Sequence, residues 1–140
     1  MTEPSTATIT VDQFVAAPPE RVWHALTDPE MHARWWAPGD IAAEEGHTFH
    51  LEMPGFGQVP CVVLEVREPE RFVYTFNVTW TLTWTLVAEG HGTRLLLEHS
   101  GFDLDDHRQR AAHDRMGPGW RDVVVPRLAD LVAPAAHRAD

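Results

Sequence analysis

Cysteine, basic charge and long apolar runs are scarce in this sequence. One cysteine, Cys61, excludes an intramolecular disulfide. There are 11 basic residues against 21 acidic ones, giving a formal net charge of -10. That balance opposes phosphate backbones and anionic lipid surfaces, and no basic run offsets it. Neither nucleic acid nor membrane is therefore expected as a partner. The acidic residues are scattered, which reads as a solvated, self-repelling surface. No apolar run approaches the roughly 20 residues of a membrane span. The opening MTEPSTATIT has neither a basic n-region nor an apolar h-region, so no signal peptide is expected and the cytoplasm is the expected location.

Catalytic strings are missing as well. No HExxH, CxxC or GxSxG occurs. The nine histidines do not form a ligand set. His47 and His50 point to opposite faces of a strand, and the spacing of His107 and His113 suits one helical face poorly. No metal and no cofactor are expected. Cys61 sits inside an apolar strand and reads as an inert buried thiol.

What the chain has is aromatic rings and alternation. Its 140 residues are 44% apolar, with six Trp and six Phe against one Tyr. This length fits a single domain, 1–140, with a core over about 8–133, able to bury a substantial interior. Residues 1–6 are polar and expected to be loose. Thr8 to Ala16 reads as a strand, rich in β-branched residues, and Pro18-Pro19 ends it. A short helix to about Leu26 follows. A second begins near Thr27 to Glu30, capped by Thr27 in a capping box or by Asp28 before Pro29, and runs to about Trp36.

Strands come next: Thr48 to Met53, Val59 to Val66, Phe72 to Val78, Thr79 to Ala88 and Thr93 to Gly101. Pro54-Gly55-Phe56-Gly57, Glu68-Pro69-Glu70 and Glu89-Gly90-His91-Gly92 are turns between them. Short Gly/Pro connections imply antiparallel neighbours. Phe72, Tyr74, Phe76 and Val78 share one face of their strand, Trp80, Leu82, Trp84 and Leu86 one face of theirs, and Leu95, Leu97 and His99 the face of the last strand that looks toward the helix.

The last third, Asp103 to Ala133, is helical, with a hinge expected at Gly117-Pro118-Gly119. Trp120, Val123, Val124, Leu128, Leu131 and Val132 recur with helical spacing and form an apolar stripe. Such a helix needs a sheet to lie on. Pro126 inside the stripe removes a backbone hydrogen bond and crowds the preceding turn, so an irregularity is expected between about Arg121 and Pro126.

At particular strings the chain resembles a known family. Ala17-Pro18-Pro19-Glu20-Arg21-Val22-Trp23, Asp28-Pro29-Glu30 and Trp35-Trp36-Ala37-Pro38 are similar to the opening of Hsp90-ATPase-activator-homologue-like domains. These belong to the START/Bet v 1-like (SRPBCC) superfamily. Arg71-Phe72-Val73-Tyr74-Thr75-Phe76, Gly92-Thr93-Arg94-Leu95, His99-Ser100-Gly101-Phe102 and Gly119-Trp120 resemble its later parts. The resemblance implies an α+β helix-grip fold. In it a curved antiparallel sheet of about seven strands surrounds a long C-terminal helix, with two short helices after strand 1. It does not fix a function, because the superfamily spans ligand carriers, enzymes and co-chaperone domains.

The space between helix and sheet is where function is expected. Trp35, Trp36, Phe49, Tyr74, Phe76, Trp84, His99 and Trp120 are the candidate ligand-binding residues. Large rigid rings leave gaps, and each buried indole N–H needs a partner. A mostly apolar pocket on the order of 300–1,000 Å³ is expected, with Trp35 or Trp36 at its mouth. The first reading is a hydrophobic or aromatic small molecule as partner, with a homodimer allowed. An alternative is a cyclase-, dehydratase- or hydrolase-type enzyme in the same cavity, with His99, Tyr74 or an acidic residue as acid/base. An Hsp90-associated co-chaperone-like domain ranks last.

Overall fold

The computed structural model describes residues 6–134. Apart from Thr6, the N-terminal residues expected to be loose lie outside that range. Strand β1 (Thr6–Val15) leads into helices α1 (Pro19–Thr27) and α2 (Pro29–Trp35). Strands β2 (Thr48–Met53), β3 (Gly57–Arg67), β4 (Arg71–Phe76), β5 (Trp80–Glu89) and β6 (Gly92–Asp103) follow. They form one sheet in the order β1-β6-β5-β4-β3-β2, every pair antiparallel. Register shifts at Ala7/Ile9 and Val63/Glu65 add local bend and twist.

The sheet has six strands where about seven were expected. Between α2 and β2 the chain makes one isolated bridge, Gly39 to Leu51. Pro38 offers no N–H there to extend a ladder. Only glycine fits at that bridge, because a Cβ on Gly39 would collide with the His50 carbonyl.

Local chemistry explains the short helices. Pro19 and Pro29 each open a helix, where the missing N–H has no intrahelical partner to lose. Asp28, not Thr27, caps α2: its carboxylate accepts from Met31 N at 3.1 Å. The Thr27 hydroxyl is already committed to the Trp23 carbonyl at 2.9 Å.

The C-terminal helix comprises α3 (His107–Gly119), a π-turn (Trp120–Val124) and α4 (Val125–Val132). No hinge opens at Gly117-Pro118-Gly119, because Gly119 keeps helical angles (φ -59, ψ -48) and the exposed Pro118 forfeits one bond only. The irregularity lies further on, as Pro126 required. Val125 N–H bonds to Trp120 O, five residues back. This wide turn relieves the clash of Pro126 with the turn before it.

The π-turn also changes which residues are buried. In an unbroken α-helix Val123 and Val124 would follow Trp120 onto the sheet. The extra residue in the turn moves that place to Val125, which is buried with Trp120, Leu128 and Val132, while Val123 is exposed. Each such burial contributes roughly 1.5–3 kcal/mol. Leu131 is only partly buried.

The β4–β5 connection corrects another expectation. Val78 does not continue a strand. Asn77 and Val78 adopt positive φ (57 and 65) and form a tight turn closed by the Phe76–Trp80 pair. Asn tolerates this backbone, whereas a β-branched Val is strained in it.

Candidate functional site

Between α3 and the sheet lies a cavity of about 800 Å³. Met53, Phe56 and Val59 line it from the β2–β3 hairpin, and Phe76, Asn77, Thr79 and Trp80 from the β4–β5 hairpin. From α3 come Arg108, Gln109, Ala111, Ala112, Arg115 and Met116, with Asp106 just before the helix. Positions 108, 111, 112, 115 and 116 form one helical stripe. Its middle is two alanines, which leave the gap open. One turn beyond Met116, Trp120 fills the equivalent space and the cavity ends. A shallower depression of about 320 Å³ at Pro19, Glu20, Pro69, Glu70 and Leu86 has no aromatic wall.

The eight expected site residues do converge, but mostly into a packed aromatic core beside this cavity. Of the eight, Phe76 is on the cavity wall. Trp36 packs against Phe76 and Trp120, with ring centroids 5.3 and 4.7 Å apart. Trp35 and Trp120 both meet Trp84 edge to face, at 5.6 and 5.8 Å. Phe49 meets Tyr74 the same way at 5.5 Å. Trp35 is 1% exposed and stands inside this core, not at the mouth. Trp36 is half-buried and also off the cavity wall. The residues the sequence reading missed are Trp80 and the α3 stripe. Alternation puts Trp80 on the aromatic face with Trp84 without marking it as a ligand contact, and the stripe has too few large apolar residues to register as a face.

Four of the six indole N–H groups have partners inside the protein. Trp35 donates to the Ala25 carbonyl at 2.8 Å, Trp84 to the Tyr74 hydroxyl at 3.1 Å, and Trp120 to His99 Nδ1 at 3.0 Å. Trp80 makes a longer contact, 3.4 Å, with Gln109 Oε1. The expectation that a ligand would satisfy the buried indoles is therefore corrected for these three.

Two histidines carry unusual electrostatics. An indole can only donate, so His99 Nδ1 is an acceptor and its proton sits on Nε2. That Nε2–H is buried without a hydrogen-bond partner among the described residues. Burial, reinforced by nearby His113, lowers the His99 pKa to about 3. In α2, His32 Nδ1 lies 2.7 Å from the Ala37 carbonyl, which fixes the opposite tautomer and leaves Nε2 as a buried acceptor without a partner among the described residues. Its pKa is about 4, because burial outweighs the carbonyl bond. Both rings are neutral at pH 7 and are weak bases there. Burial raises the Tyr74 hydroxyl well above its usual range. It pushes Cys61 up to about 12, so this thiol is not a nucleophile at neutral pH.

Among the described residues no group of three His, Cys, Asp or Glu side chains is placed to hold a metal ion, and no helix is long and apolar enough to cross a membrane. A sheet gripping one long helix, with an apolar cavity beside their contact, defines a helix-grip α+β domain of ligand-binding type. The chain belongs to the family of activator of Hsp90 ATPase homolog 1-like proteins, whose model matches residues 16–133.

Solved structures agree. A Bacillus halodurans protein, BH1534, determined in solution, is 34% identical with a TM-score of 0.83, over 93% of this chain and 99% of its own. The MLL2253 protein of Mesorhizobium loti is 29% identical with a TM-score of 0.78, over 96% and 99%. CalU16 of Micromonospora echinospora is 27% identical with a TM-score of 0.70, over 95% and 80%. Among curated proteins the sequence finds no match.

Proposed function

We propose that this chain binds a small hydrophobic or aromatic molecule in the cavity between α3 and the β4–β5 hairpin. The observation that carries the reading is the wall itself. Phe76, Trp80, Phe56, Met53, Val59 and Met116 surround about 800 Å³. That volume lies within the range of small-molecule sites, which are typically 300–1,000 Å³. Exposed Phe56 and the strained Val78 turn stand at or beside the same cavity. Strain of this kind gathers at ligand clamps. Binding is favoured over turnover because His99 and Tyr74 are held neutral and lie off the cavity wall, and Asp106, the acidic residue on the wall, is engaged as the cap of α3.

The test uses 1-pyrenebutanol, an uncharged fluorescent probe that accepts energy from tryptophan. Saturable transfer with a micromolar Kd is expected. Ala111→Trp should weaken binding at least tenfold by filling the mouth from an exposed helix position. The reading fails if the probe does not saturate, or if Ala111→Trp, shown folded by its thermal transition, binds unchanged.

A further inference from the structure

The cavity is not uniformly apolar, and two of its polar side chains are arginines. Every one of the chain's 11 basic residues is arginine. Arg67, Arg71 and Arg94 each pair with a carboxylate, as expected where acids outnumber bases. Arg108 and Arg115 line the cavity, and neither makes an ion pair with a described residue. They stand two helical turns apart, about 10 Å along α3, on either side of Ala111 and Ala112.

Part of the acceptor capacity near them is already used. Asp106, the one acidic residue of the lining, caps α3 by accepting from Arg108 N and Gln109 N at 2.8 and 3.3 Å. Gln109 Oε1 accepts from Asp103 N at 2.8 Å and faces the Trp80 indole. What stands at the rim is two guanidinium forks without an ion pair among the described residues and the Gln109 amide NH₂, beside one Asp106 carboxylate oxygen, Oδ2, that the cap does not use.

We infer that the ligand is an amphipathic carboxylate, its flat apolar body against Phe76 and Trp80 and its head group at Arg108 and Arg115. This rests on the cavity being the binding site proposed above. An arginine fork matches a carboxylate with two parallel hydrogen bonds. The protein's overall negative charge works against anions at long range, so the preference comes from contact with these two side chains.

The experiment compares 1-pyrenebutyrate with 1-pyrenebutanol, which share one body and differ in the head group, by energy transfer from tryptophan in the full chain. At low salt the carboxylate should bind roughly tenfold more tightly, the scale of two partly exposed ion pairs. In about 0.5 M NaCl the advantage should shrink several-fold through screening. Arg108→Gln with Arg115→Gln should erase the preference, so that the two probes bind that variant with the same Kd. Arg110→Gln with Arg121→Gln removes the same charge from the same helix away from the cavity wall, and should keep the preference. Equal binding of both probes to the unaltered chain overturns the charge inference and leaves the cavity reading standing. Equal loss in both double variants assigns the effect to net charge and also overturns it. Failure of both probes to bind removes the cavity reading and this inference together.

Discussion

The Trp120 indole on the C-terminal helix donates its N–H to His99 Nδ1 on β6 across 3.0 Å, inside a core with no access to water. This bond ties helix to sheet, sets the histidine tautomer and seals the deep end of the cavity region. Trp120→Phe should lower the unfolding free energy by about 1–3 kcal/mol, because His99 Nδ1 would be left a buried acceptor without a donor. Urea unfolding at pH 7 measures it. A loss below about 0.5 kcal/mol would show that the bond carries no weight.

Acid should unfold the protein through its buried histidines. His99 and His32 have folded pKa values of about 3 and about 4, below the ordinary 6.5. Between these values and 6.5 the unfolded chain binds more protons, so stability rises with pH. As pH falls from 6.5, each ring removes up to about 1.4 kcal/mol per pH unit until its folded value is reached. His99→Gln, whose amide oxygen can still accept from Trp120, should flatten the dependence by about one proton. An unchanged slope between pH 6 and 4.5 would contradict the assignment.

Trp80 should be the optical reporter of the site. It is the tryptophan on the cavity wall. Trp80→Phe should remove most of the energy transfer to bound 1-pyrenebutanol while preserving saturable binding by pyrene anisotropy. Trp84→Phe should destabilise the fold, since the Tyr74 hydroxyl loses its donor, yet leave the transfer largely intact. The reverse ranking would move the site into the Trp84 core.

Gly101 should resist substitution. Its φ is +97, and a Cβ would meet the Thr79 carbonyl at 2.6 Å, beside the β4–β5 turn. Gly101→Ala should destabilise by about 1–3 kcal/mol and shift the thermal transition accordingly. Gly46→Ala, at φ +86 with open space around it, should be milder, and equal effects would remove the role of the Thr79 contact.

Cys61 should be unreactive in the folded state. Burial and a pKa of about 12 keep it a thiol. Labelling by a disulfide reagent at pH 8 should follow the rate of unfolding and accelerate in urea. Immediate native-state labelling would contradict its burial.

Helix and strand periods, proline starts and Gly turns are local properties, and they carried the element order, the antiparallel pairing and the helix lying on its sheet. The chain also showed that Pro126 must disturb the C-terminal helix, because the missing N–H and the ring clash belong to the residue itself. How the disturbance resolves was not local. An extra residue per turn moved Val125 into the core and Val123 into solvent, a choice decided by fit against the sheet.

The site divides along the same line. Sequence by itself determined that many rings would meet between helix and sheet, since alternation aims Tyr74, Phe76, Trp84 and His99 at one face and spacing brings Trp120 onto them. It could not say whether those rings would leave a space. Packing depends on volumes contributed by segments far apart in the chain. Seven of the eight candidate residues are not on the cavity wall, and the gap opened instead where Ala111 and Ala112 cross the β4–β5 turn. Small residues give no hydrophobic signal, so only the tertiary structure decided where the cavity lies.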